Sequence, residues 1–220
     1  MNNLFTVLLV LHISGGGAGL ITGTIAASVK KGSKTHKLSG IIFFWGMLVA
    51  SLSALVLSNL KGHENLFLFA VGGFTLYMVL SGYRVVLLKR MFKSIPVQIP
   101  VTDYLITLFG CVFAIFLIIQ SVKGMILGNM FSIVPGAFGL ICLSYVLLDI
   151  KLIVGRTTIK KTWMYSHIIR MMGAMIASYT AFLVVNVQIQ QQWILWLLPT
   201  VIGSCLIAIF IRKYVGASKN

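Results

Sequence analysis

Along this chain polar residues do not alternate with apolar ones. They gather into short basic clusters that separate long runs of Leu, Ile, Val, Phe and Ala. A helix crossing about 30 Å of hydrocarbon needs about 20 mostly apolar residues at ~1.5 Å each. Seven runs meet that length, near 4–28, 38–60, 65–88, 102–122, 126–149, 164–187 and 193–211. Barrel strands would show ten-residue segments with a two-residue period, and these runs show none. The pattern predicts an all-α fold, a single polytopic transmembrane helical domain over residues 1–220. No separate soluble domain is expected, because the longest connections are about a dozen residues.

Composition sharpens this reading. Hydrophobic residues make up 59% of the 220 and charged residues only 10%, against roughly a quarter charged in soluble domains. A soluble enzyme and a disordered basic tail are both excluded. Eighteen Lys and Arg face three acids, Glu64, Asp103 and Asp149, for a formal charge of +15. In a soluble protein that imbalance would suggest a nucleic-acid partner. Here fourteen of the eighteen cations fall in the first, third and fifth connections and the C-terminal tail. The positive-inside rule then predicts an N-terminus outside and a cytoplasmic C-terminus, as in a multi-pass protein of a bacterial inner membrane. The first run lacks a basic leading region and is followed at once by Lys30 and Lys31, so it reads as a retained helix. Cys111, Cys142 and Cys205 all lie in apolar settings and read as small packing residues.

Ionisable groups inside spans are costly and therefore functional candidates. His12 shares a helical face with Gly16, Gly19 and Gly23. Close helix packing is the favoured reading of those glycines, and a slot for a flat ligand such as haem is the sharper one. His36 opens the second run and His167 the sixth, at similar depth on the cytoplasmic side. Were the two helices neighbours, both imidazoles could ligate one haem iron from opposite faces. Gly40, Phe43 and Met47 share the His36 face, and Ser178 shares that of His167. The plainer readings are a solvated loop residue for His36 and an interfacial anchor for His167 beside Trp163 and Tyr165. Arg84 and Arg170 lie deeper than anchors usually do. Either they pair with Asp103 and Asp149, or they hold an anion such as a haem propionate, a lipid phosphate or a carboxylate substrate. His63 and Glu64 sit in a short outer loop, where an exposed His63 is expected.

Several chemistries drop out. A retinal protein needs a lysine in its last helix, and 193–211 has none. His12 and the His36/His167 pair lie on opposite sides of the membrane centre, which argues against a three-histidine zinc site. No phosphate loop, G-x-S-x-G or CxxC motif is present. The basic loops have little aromatic interleaving, so no nucleic-acid partner is expected, and anionic lipids at the cytoplasmic face suit them better.

Residues 11–40, LHISGGGAGLITGTIAASVKKGSKTHKLSG, resemble the opening of an uncharacterised bacterial multi-pass membrane family of unknown function. The shared pattern is a histidine in the first span, a small-residue run, a basic turn, then a histidine with glycine four residues later. Residues 163–186, WMYSHIIRMMGAMIASYTAFLVVN, resemble a later His-and-Arg span of related sequences. The histidine-in-helix style is loosely similar to b-type membrane cytochromes, although no two helices here carry two histidines each. The placement of these residues leads to one hypothesis, a redox protein with haem b between His36 and His167, His12 as an outer candidate, and Arg84 and Arg170 facing propionates or a quinone. The alternatives are a lipid or small-anion carrier and a non-catalytic partner subunit of a larger membrane complex.

Overall fold

A computed structural model describes residues 2–91, 99–155 and 159–216. Among them the chain is helical, with seven long helices and no strand. These are α1 (Asn2–Ser28), α2 (Lys34–Leu57), α3 (Leu66–Met91), α4 (Val101–Ile126), α5 (Ile133–Ile153), α6 (Ile159–Asn186) and α7 (Gln192–Tyr214). All seven are long and apolar enough to cross a membrane. The protein is a multi-pass helical membrane protein.

The spans match the seven runs, with ends moved where local chemistry overrides hydropathy. The fourth helix runs on to Ile126 and the fifth starts at Ile133, so the boundary expected near 122–126 lies several residues later. Apolar residues continue through this corner, and hydropathy cannot mark it. Backbone geometry does: Gly128 takes φ +78°, which a Cβ would strain. The Asn129 amide then closes onto the Gly124 carbonyl, ending α4. A short 3₁₀ turn, Met130–Ser132, leads into α5, with the Asn129 side chain accepting from the Phe131 amide. At the start of α2, Ser33 accepts from the His36 amide, so the helix begins at Lys34 and His36 is its third residue.

The third helix is the centre of the bundle, buried over two thirds of its span against α2, α4, α5 and α6. Tyr77, Met78 and Val79 at its midpoint are sealed, within a core that also holds Phe74, Phe113, Leu117 and Val146. The outermost helices are α1, packed on α2, and α7, packed on α6. Their remaining surface carries Leu, Ile and Val, such as Val10, Ile21, Val201 and Ile209, as lipid requires. Ser14, Thr22, Thr24 and Ser28 return their hydroxyls to carbonyls one turn back, which satisfies them on the exposed helix.

The first two helices approach closely because neither has a side chain at the crossing. A Cβ on Gly46 would lie 2.7 Å from the Gly15 carbonyl oxygen, and one on Gly15 would lie 2.8 Å from that of Gly46. Such backbone proximity is the usual reason for small residues between membrane helices.

Candidate functional site

The interior charges form two linked ion pairs. Arg84, near the cation-rich end of α3, donates from Nη2 to Oδ1 of Asp103 in the first turn of α4. Arg170 of α6 donates from Nη2 to Oδ1 of Asp149 on α5 at 2.7 Å, and to the Tyr145 carbonyl at 3.3 Å. The Tyr77 hydroxyl donates to Oδ2 of Asp149 at 2.6 Å. One carboxylate thus ties α3, α5 and α6 together. Of the two readings for these arginines, pairing with the aspartates is the one the structure shows. Position explains it: the aspartates stand at helix ends on the cation-rich side, at the depth the arginines reach. A lone charge there would cost several kcal/mol, about as much as breaking a buried pair.

Pairing does not exhaust the site. Arg170 is 1% exposed, yet its Nε and Nη1 have no partner among the described residues, and neither do Arg84 Nε and Asp103 Oδ2. The two pairs cancel in charge, while three donors and one acceptor in them stay buried without a hydrogen-bond partner among the described residues. Helical periodicity places Tyr77 on the face of Arg84. Its bond to Asp149 spans 72 positions and no local pattern encodes it.

Three histidines share one geometry. His12 Nδ1 bonds the Ala50 carbonyl of α2 at 2.8 Å. His36 Nδ1 bonds that of Ala26 on α1 at 3.0 Å, and His167 Nδ1 bonds that of Gly82 on α3 at 3.0 Å. A carbonyl has no proton to give, so each Nδ1 is the donor and in the neutral ring Nε2 keeps its lone pair. His12 and His36 therefore fasten the two ends of the α1–α2 hairpin, and His167 fastens α6 to α3. None of the three Nε2 atoms makes a hydrogen bond among the described residues. Gly82 also makes room for Arg170, whose Cβ would lie 2.9 Å from any Cβ placed there.

His36 and His167 lie within electrostatic reach of each other and of Lys31. Their helices meet further along the same faces, where Ser178 Oγ stands 3.3 Å from Met47 Sδ. Met47, Met171 and Met175 pack on the core, Met171 beside Gly82 of α3 and Met175 beside Gly23 of α1. The glycine face of α1 is not an open slot. Cβ atoms on Gly19 and Gly23 would lie 2.6 and 2.7 Å from Met47 and Phe43, so α2 side chains occupy it and helix packing accounts for those glycines. His63 is exposed and stacks on Phe5 with ring centroids 4.1 Å apart, while His12 is turned to Ala50.

Two clefts are open elsewhere. One of about 410 Å³ lies between α1 and α2 beside Ser14, Ala18, Trp45 and Val49. The other, about 280 Å³, lies beside Phe67, Phe131, Pro135 and Trp196. Neither borders the histidines or arginines above. No group of three or more His, Cys, Asp or Glu suited to a metal ion occurs among the described residues. No family model, curated protein or solved structure matches this chain.

Proposed function

We propose that this protein is an electron-transfer protein of a bacterial cytoplasmic membrane, N-terminus outside, in which His36 and His167 would hold a b-type haem. The observation that carries this reading is the hydrogen bonding of the two imidazoles. Each has Nδ1 anchored to a carbonyl of a neighbouring helix and Nε2 unused, the arrangement that fixes tautomer and ring orientation in iron-ligating histidines. The donor set therefore suits the group. The Ala26 and Gly82 carbonyls would hold the rings and raise their basicity, and the flexible side chains of Met47, Met171 and Met175 could repack around an apolar guest. Haem would supply one-electron exchange at a potential set by ligands and burial. A quinone or a membrane protein partner would exchange electrons with it. His12 has the same Nδ1 pattern on the far side and is the candidate for a separate outer ligand. The deciding experiment is a reduced-minus-oxidised visible spectrum of protein expressed with supplemented haem. Bis-histidine bands support the reading, and a folded protein without them ends it.

A second reading has its own observation. The unpartnered Nε and Nη1 of Arg170 and Nε of Arg84 could receive a small anion or a lipid carbonyl, making the protein a carrier. Ligand-dependent stabilisation lost in Arg170→Lys, with no chromophore, would favour it.

A further inference from the structure

We infer that the junction of the α1–α2 turn with the end of α7 is a binding site for the phosphate of an anionic phospholipid, with Lys31 and Lys213 as its charged contacts. This site is independent of the haem reading.

Lys31 is drawn inward. Its Nζ donates to the Ala26 and Ala27 carbonyls at the end of α1 and sits 4.2 Å from the centre of the Phe210 ring. The Phe210 and Tyr214 rings are 6.3 Å apart, and Lys213 Nζ stands 5.5 Å from the Tyr214 ring centre. The α1–α2 turn and the end of α7, distant in sequence, thus bring two ammonium groups to a shared aromatic wall. They repel each other, and Lys31 shares the Ala26 carbonyl with His36 Nδ1. The whole chain has only three side-chain carboxylates. Glu64 is in a loop at the opposite end, while Asp103 and Asp149 are paired inside the bundle. No acidic side chain is left to neutralise Lys31 and Lys213, which leaves both ammonium groups open to an anion from outside. Ile25 and Ile209, on the same two helices toward the membrane centre, are exposed and present apolar surface to acyl chains. An anion carrying such chains fits better than a free one.

The test titrates the purified full chain in neutral detergent with phosphatidylglycerol, phosphatidylcholine and inorganic phosphate, reading bound lipid by native mass spectrometry and the unfolding midpoint. Phosphatidylglycerol should bind and stabilise in preference to phosphatidylcholine. A lysine near a membrane surface contributes about 1 kcal/mol, so Lys31→Gln and Lys213→Gln should each cost about fivefold in affinity. Lys213→Gln keeps the bonds that cap α1 and remains informative if Lys31→Gln folds poorly. Lys34→Gln, exposed in the first turn of α2, should bind as the parent does. Equal losses in all three variants, or none, would overturn the site in favour of diffuse attraction. Equal stabilisation by inorganic phosphate would overturn the lipid assignment.

Discussion

Arg170 and Asp149 face each other across α6 and α5 at 2.7 Å, both sealed from solvent, and Tyr77 closes the carboxylate from a third helix. Removing one member leaves the other charge buried without an opposite charge. Arg170→Met and Asp149→Leu should each destabilise by about 3–5 kcal/mol, while the double variant should recover more than half of that loss. Unfolding midpoints of the purified proteins check this, and additive losses would deny the coupling.

Tyr77→Phe removes a hydrogen bond to an ionised group and nothing of the ring's packing. A loss of about 1.5–3 kcal/mol is expected, smaller than for either charge deletion. Equilibrium unfolding in mixed micelles measures it.

The crossing of α1 and α2 makes a size prediction. Gly46→Ala would push a methyl into the Gly15 carbonyl, and a cost of about 1–3 kcal/mol is expected. Gly40→Ala on the same helix meets nothing within 4 Å and should be neutral or slightly stabilising. The two thermal midpoints, compared side by side, test whether backbone contact holds the hairpin.

The histidines separate the functional readings. With a haem at the cation-rich end, His36→Ala and His167→Ala should each abolish its bis-histidine spectrum, and His12→Ala should leave that spectrum in place. In a non-catalytic partner subunit all three would lose only an interhelical bond, about 0.5–1.5 kcal/mol each, with no spectral change. Absorbance and stability measured on the same preparations distinguish these outcomes.

Lys31 gives a pH signature. Burial first, and then Lys213, hold its ammonium below the ordinary 10.5. The unfolded chain binds that proton more tightly, so stability should rise with pH from the lowered value to about 10.5, and below it the cost of this group should be full and independent of pH. Lys213→Gln removes the second cause and should narrow that window. The unfolding midpoint between pH 8 and 10.5 reads the slope.

Much of the candidate site could be read from residue type and depth alone. An arginine such as Arg170, one turn beyond His167 in an apolar run, is costly enough to announce a partner, and only Asp103 and Asp149 are acids on that side. Which aspartate meets which arginine could not be read. Nor could the role of Tyr77, or the filling of the α1 glycine face by Met47 and Phe43. Helix periodicity states which residues share a face and says nothing of which helix that face meets.

Hydropathy by itself determined seven spans, because lipid admits only helices or closed barrels, and the clustering of fourteen cations predicts their orientation. Tertiary structure decided the rest. It brought Asp149 between Tyr77 and Arg170, closed α1 on α2 through Gly15 and Gly46, and set His36 within electrostatic reach of His167. The physical reason is that lipid prices each segment almost independently of its neighbours. The choice of neighbour rests on close packing and on pairing of buried polar groups, interactions between residues far apart in the chain.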